Sequence, residues 1–451
     1  MKLRFRNCSC KESSHLFFTL MTLSFLCSCG GVTTPPDDKY IKDFYEVNFL
    51  QSADILEEDN LALFVDYSTC IALGQNSPFY QKLIPSFVEA TKSYYSIKGE
   101  EITKEEPADT YNRLLNIQEV NYADLKSAAE QIANGKTEGV LLTDGEYFNP
   151  TIAGGNPNNP YLAKAFKTWM KKGHDIFIIS EPYVESGVYN KKRFYFLFTD
   201  TRLKNNIYDR IIETADLDQY PDVQLFHLSA DHPTLLAEGQ SSIPNPILAA
   251  EIKPNGFFEI QDWTVDWNTI NNYILGAVDE QTGEPLPNGD YLIKGLKIDR
   301  NSFGGYRIKN IGVKVYDLNN EYMQFYSDKE SGLKNIPLGS PLQSYPFLVV
   351  DEKEFQRHGM INLYFDVMNL DNSFLKEGTP FNYFKIDFYI TEVENVFSKY
   401  SSMFSFDLLG QPGRTNNSVI ASVEQCLVDK DLQKQMMNSP FYSIFIKCNQ
   451  Y

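Results

Sequence analysis

Two aspartates carry the most chemistry in this 451-residue chain. Asp66 closes the run Leu61-Ala62-Leu63-Phe64-Val65, and Asp144 closes Gly139-Val140-Leu141-Leu142-Thr143. An apolar run ending on a carboxylate is how a buried parallel strand delivers an acid to the rim of an α/β sheet, where such sheets place their sites. Hydroxyls lie beside both aspartates, among them Ser68 and Thr143. Two carboxylates with neutral oxygens around them suit a hard divalent cation, which takes about six oxygen ligands.

The elements that must position these acids follow from the surrounding pattern. From Leu61 to about Ser229 strand-like and helix-like stretches alternate. Strands are predicted at Leu61–Asp66, Val140–Thr143, Asp175–Ser180, Arg193–Thr199 and Val223–Leu228. Helical spacing runs through Tyr80–Tyr95, Tyr122–Ala133, Tyr161–Lys172 and Leu203–Glu213. Such alternation predicts an α/β unit, a doubly wound, mostly parallel sheet covered on both faces. From about Pro244 to Phe406 helical spacing gives way to short runs rich in Val, Ile, Tyr and Phe, separated by turn signals such as Pro287-Asn288-Gly289-Asp290. An all-β, sandwich-like region of one or two modules is expected there. Residues 417–436 read as a short helix and Phe441–Ile446 as a closing strand.

The segment Asp66-Tyr67-Ser68-Thr69-Cys70 resembles the Asp-x-Ser-x-Ser signature of von Willebrand factor A domains, and Thr143-Asp144-Gly145 resembles the Thr-Asp-Gly that closes a later strand in that family. The family's third element is a threonine roughly thirty residues before that second aspartate, and Thr110 lies at that distance here. The likeness covers about 170 residues, under half the chain. It implies a von Willebrand A-like fold in which Asp66, Ser68, Thr110 and Asp144 hold Mg²⁺, Mn²⁺ or Ca²⁺, with a vacant position for water or for an acidic residue of another protein. One residue departs from the pattern: Cys70 stands where the family has its second serine, and a thiol is a poor ligand for Mg²⁺.

Other readings stay open on the residues alone. Asp66-x-Ser-x half-matches the Asp-x-Asp-x-Thr of haloacid-dehalogenase-like phosphohydrolases, with Asp66 as nucleophile, but Ser68 replaces the acid/base that such chemistry uses. His227 and the pair Asp231-His232 follow the last strand of the α/β stretch and suit surface or capping roles. Gly154-Gly155-Asn156-Pro157-Asn158-Asn159-Pro160 is a flexible loop just beyond Asp144. Aromatics make up 14% of the chain, and Trp263 and Trp267 lie close together, so a glycan-binding β region using aromatic faces is a rival to the metal-dependent reading.

The N-terminus predicts an address. Lys2, Arg4, Arg6 and Lys11 precede an apolar run from Leu16 to Leu26, too short for a membrane span. Leu26-Cys27-Ser28-Cys29 resembles a bacterial lipobox, which implies removal of residues 1–28, acylation of Cys29 and, with Gly30 next, sorting to an outer membrane. The formal net charge of −18 becomes about −21 once that segment's net +3 is removed, and such a chain repels phosphate backbones, which sets nucleic acid aside. Of the seven cysteines, Cys29, Cys70, Cys426 and Cys448 remain after processing, too few for a disulfide scaffold, although Cys426 and Cys448 are a possible pair. The expected order is a signal at 1–28, a tether at 29–58, the α/β domain at 59–235, the β region at 245–410 and a C-terminal helix and strand at 411–451. The function this order suggests is non-enzymatic binding or adhesion to a protein or glycan at the cell envelope, on a membrane reached through the lipid anchor.

Overall fold

The computed structural model describes residue 56 and residues 60–450 apart from 117–121, 147–156, 202, 204, 231–234, 237–239, 242–245, 254–255, 266–290, 299–304, 322–323, 325–337, 346–347, 366–380 and 439. The lipobox with Cys29, the tether, Asp231-His232, Trp267 and most of the loop after Asp144 therefore lie outside the described residues, as do the side chains of Trp263 and Cys448.

The first strand, β1 (Leu61–Asp66), is apolar throughout because both of its faces are covered. Leu61, Leu63 and Val65 enter one core while Phe64 enters the other, the alternation that a period of two requires. Helices α1 (Thr69–Gly74) and α2 (Pro78–Ala90) follow. Helical spacing suggested that α2 runs to Tyr95, but it stops at Ala90. Thr91–Lys98, richer in β-branched and aromatic residues, forms β2 and pairs in parallel with β1. β3 (Glu101–Glu105) turns back along β2 through Gly99, whose φ of 59° suits glycine. Then come α3 (Pro107–Leu115), α4 (Leu125–Asn134), capped by Asp124, and β4 (Gly139–Thr143). A side chain at Gly139 would meet Ile132 of α4 at 2.4 Å, so this glycine lets the helix lie directly on the strand. β4 pairs in parallel with the free side of β1.

Beyond β4 the sheet changes character. After α5 (Ala163–Met170), β5 (Asp175–Glu185) and β6 (Val188–Thr199) form one long antiparallel hairpin. Its two-residue turn, Ser186-Gly187, has φ values of 48° and 81°, the positive pair that a type I′ turn demands. β6 lies antiparallel to β4. After α6 (Ile207–Ala215), β7 (Gln224–Leu228) lies antiparallel to β5. The seven-stranded order is β3-β2-β1-β4-β6-β5-β7. The sheet is thus mixed, parallel only across β2-β1-β4, where a mostly parallel one was expected. β5 and β6 meet as a hairpin because the polar stretch between the two apolar runs continues both strands.

The β region opens with β8 (Leu235–Leu236), β9 (Gln240–Ser241), β10 (Pro246–Lys253), β11 (Gly256–Val265), β12 (Tyr291–Ile298) and β13 (Tyr306–Asp317). It continues with β14 (Leu348–Val350), α7 (Glu352–His358), β15 (Met360–Phe365) and β16 (Phe381–Asn395). The chain ends with α8 (Ser401–Phe404), β17 (Phe406–Asp407), β18 (Thr415–Asn416), α9 (Ser418–Leu427), α10 (Lys430–Asn438) and β19 (Tyr442–Gln450). One five-stranded sheet has the order β10-β11-β19-β16-β13, with β19 parallel to β11 and antiparallel to β16. A second sheet, β14-β15-β12-β8, is antiparallel.

The segment from Val396 to Met436 packs on the α/β sheet. Phe404 stacks near Phe194 and meets Phe226 edge-on at 5.3 Å, and Phe406 lies 5.9 Å from Phe194. Ser180 donates to the Met403 carbonyl at 2.8 Å, and the Leu162 amide donates to Ser422. One buried core therefore runs from Phe64 through Trp169 and Phe226 to Val423 and Phe441. Residues 59–235 share this core with chain that lies 160 residues and more beyond them.

Candidate functional site

β1 and β4 are neighbours, and the chain leaves β1 toward β2 on its other side. The crevice outside their C-terminal ends is the kind of switch point at which open α/β sheets place ligands. Asp66 is the last residue of β1 and Asp144 the first after β4. Thr143 joins them: its hydroxyl donates to Asp66 Oδ2 at 2.7 Å and accepts from the Gly145 amide at 3.1 Å. Asp144 Oδ1 accepts from the Glu146 amide at 2.8 Å, and Gly145 turns the chain at a φ of 75° against the ring of Phe194.

Both carboxylates are buried, Asp66 at 1% and Asp144 at 8% exposure. Asp66 Oδ1 has no hydrogen-bond partner. Burial, then the neighbouring Asp144 charge, pushes the Asp66 carboxyl well above the usual carboxylate range, and the Thr143 and Ser68 hydroxyls only partly offset this. Burial and then the Glu146 charge push Asp144 up to about 7, against pulls from the Glu146 amide, Lys191 and Ser68. Ser68 therefore touches the electrostatics of both acids. Its Oγ also lies 3.2 Å from the Sγ of Cys70.

The walls of the site come from distant parts of the chain. Lys191, 1% exposed, pairs with Glu146, lies 3.6 Å from Glu185 and faces the ring of Phe406. Tyr161 donates to the Gly145 carbonyl and lies 3.3 Å from the Ser418 hydroxyl. Fully buried Arg193 holds the start of α1: Nε and Nη2 donate to the Cys70 carbonyl at 2.9 and 2.5 Å. Its Nη1 donates to Glu181 at 2.6 Å, and Glu181 also accepts from Tyr195 and Ser77. The rings of Tyr80 and Tyr183 lie 5.0 and 5.4 Å from the guanidinium.

Asp66, Ser68 and Asp144 are thus brought together, with Cys70 beside them. Thr110 has other partners: its hydroxyl donates to Glu105 and the Glu106 carbonyl at 3.2 Å, beside Arg113 and Tyr67. His227 lies at the opposite end of the sheet, 3.4 Å from Asp175 and stacked on Phe177. Cys426 is a free, buried thiol directed at the Ala163 carbonyl, and the side chain of Cys448, its expected partner, lies outside the described residues. Among the described residues no three His, Cys, Asp or Glu side chains are gathered into a metal-binding group. Reading the sequence missed Lys191, Arg193, Tyr161 and Glu146. The signal for two of them was present, since the period of two puts Lys191 and Arg193 on the strand face of Tyr195 and Leu197, where a charge needs a reason.

The raised acids make stability depend on pH with a definite sign. Between 3.8 and about 7 the Asp144 carboxyl is protonated in the folded chain and ionised in the unfolded one. Stability therefore falls as pH rises through that window and levels off above it, with a slope of up to about 1.4 kcal/mol per pH unit for one proton. Glu138, pushed up to about 8 chiefly by burial, acts in the same direction. In chelator, Asp144→Asn is expected to be most stabilising above pH 7 and to remove its share of the slope. Urea unfolding of both proteins from pH 4.5 to 8 measures this, and parallel curves would show that Asp144 is ionised throughout.

No protein-family model matches the chain, and no curated protein and no solved structure is detectably similar to it.

Proposed function

We propose that this chain is a lipid-anchored cell-envelope protein that binds another macromolecule, capturing an acidic group of its partner through a divalent cation held by Asp66, Ser68 and Asp144. Acylation at Cys29 supplies the anchor in this reading, and an outer membrane is its location. The observation that carries the cation is the state of Asp66: one carboxylate oxygen is bonded to Thr143, the other is buried without a partner, and a second buried aspartate stands beside it. Burial holds the two acids toward their neutral forms, and a cation would displace their protons and satisfy both carboxylates at once. Carboxylate and hydroxyl oxygens suit Mg²⁺, Mn²⁺ or Ca²⁺. Bound there, the ion supplies positive charge and open coordination positions for a partner's carboxylate. Three residues of this chain, without Thr110, would hold it.

Calorimetric titration with Mn²⁺ is the test. Wild type is expected to bind one ion with micromolar or weaker affinity, and Asp66→Asn and Asp144→Asn are expected to give no heat while keeping cooperative melts. Cys70→Ser, which puts an oxygen beside Ser68, is expected to bind Mn²⁺ and Mg²⁺ more tightly. Absence of heat from both wild type and Cys70→Ser would remove the cation from the reading.

A further inference from the structure

We infer that a cleft between α5, the start of α4 and the α9–α10 junction binds a short stretch of linear acidic glycan, with its carboxylates or sulfates held by Lys126, Lys164, Lys167 and Lys171. Asp66, Ser68 and Asp144 take no part in it. The cleft holds about 530 Å³, within the range of roughly 300–1,000 Å³ of small-ligand sites. Four ammonium groups line it against one carboxylate, Asp429. In a chain with 41 basic and 59 acidic residues this is a local reversal of sign, and a concave wall of one sign concentrates the opposite charge. Asp429 is already committed: Oδ1 accepts from the Asp431 and Leu432 amides, capping α10, and Oδ2 lies 3.2 Å from Lys167. Lys164 and Lys171 reach Glu130 at 2.8 Å and Asp431 at 2.9 Å, acids outside the cleft lining. Such exposed pairs contribute little, so a ligand anion can take the place of either acid. Lys126, exposed on the first turn of α4, has no ion-pair partner among the described residues.

Spacing sets the shape of the ligand. Lys164, Lys167 and Lys171 are three and four residues apart, so they follow one face of α5 to its C-cap over ~10 Å. That is one cation per helix turn, ~5 Å apart, close to the repeat of a sugar chain with one acid on each ring. Neutral polar side chains, Asn159, Thr168 and Gln425, lie among the ammonium groups and suit sugar hydroxyls. The Thr168 hydroxyl donates to the Lys164 carbonyl at 2.8 Å, which leaves its lone pairs to accept from a ligand. A nucleic acid fits less well: among the described residues the one aromatic side chain lining the cleft, Tyr161, is buried, so bases have no ring to stack on. A flat anionic membrane also fits less well, because Lys167 is recessed while Asp431, 78% exposed, stands beside Lys171.

Calorimetry on the full chain in metal-free, low-salt buffer tests this with two probes, tetragalacturonate and a chondroitin sulfate tetrasaccharide. Wild type is expected to bind at least one of them, more weakly at high salt, and to bind neutral cellotetraose on the order of tenfold more weakly or not at all. Lys126→Gln and Lys167→Gln are each expected to weaken binding about 2- to 5-fold, and substitution of all four lysines by Gln on the order of tenfold or more, with melting temperatures kept. Lys309→Gln, on β13 and outside the cleft, and Asp66→Asn are expected to bind as wild type does. Binding of neither acidic probe, equal binding of cellotetraose, or full affinity in the four-lysine variant overturns the proposal. Loss of binding in Asp66→Asn moves the contact to the acid pair and overturns the cleft. Tighter binding of octaglutamate, oligothymidylate or phosphatidylglycerol vesicles than of either glycan gives the cleft to another class of anion and overturns the glycan.

Discussion

A chain cut after residue 235 is expected to lose cooperative unfolding and to bind the apolar dye ANS at room temperature. The cut removes Phe397, Met403, Phe404, Phe406, Val419, Val423 and Leu427, all buried in the core that also holds Phe194, Phe226 and Trp169. Each buried side chain of this size contributes roughly 1.5–3 kcal/mol. Seven of them sum to roughly 10–20 kcal/mol, as large as the whole margin of about 5–15 kcal/mol that a domain has. The cut also leaves Ser180 and the Leu162 amide without the partners they have at Met403 and Ser422. Far-ultraviolet circular dichroism is expected to keep much of its signal, since β1, β2, β4, β5 and β6 pair among themselves, while near-ultraviolet dichroism is expected to collapse. A sharp melt within a few degrees of the full chain would show that the C-terminal segment merely rests on the sheet.

Replacing Arg193 is expected to have the next largest effect. Arg193→Met removes both hydrogen bonds to the Cys70 carbonyl and leaves Glu181, 4% exposed, as a buried carboxylate whose remaining partners are Tyr195 and Ser77. Breaking a buried ion pair from one side costs about 3–5 kcal/mol. Arg193→Lys is expected to recover little, because an ammonium cannot direct parallel N–H groups at Cys70 and Glu181 together. Adding Glu181→Gln to Arg193→Met removes the stranded charge while keeping an acceptor for Tyr195, and is expected to recover on the order of 1–3 kcal/mol. Denaturant unfolding of wild type, Arg193→Met, Glu181→Gln and the double variant gives the coupling, and additive losses would mean that Arg193 acts through packing alone.

The acid pair was legible because a buried strand writes itself as an apolar run, and the first polar residue after it marks the rim. Asp66 and Asp144 needed no more than that. The partners of Thr110 were not legible. Sequence distance put it at a suitable place, but Glu105, five residues earlier and on β3, offers its hydroxyl a nearer carboxylate. The strands Asp175–Ser180 and Arg193–Thr199 were visible, yet their antiparallel union was not, because Pro182 and the polar residues around Ser186-Gly187 carry no apolar alternation that would extend either strand. Residues 417–436 read as one helix where the chain makes two, broken at Val428-Asp429. The least legible feature was the docking of Val396–Met436 on the α/β sheet. Periodicity reports that a face is apolar and says nothing about which distant face covers it.

The position of β19 sets the time at which this molecule can finish folding. The last nine described residues pair with β11 on one side and β16 on the other, at the centre of their sheet. Until Tyr442–Gln450 have left the ribosome, β11 and β16 have nothing between them, and that sheet cannot close. Pairing across so long a separation is slow, because loop-closure entropy is met before the contacts form. That sheet therefore stays open until residue 450 has been made. Until then the facing edges of β11 and β16 are exposed to wrong partners.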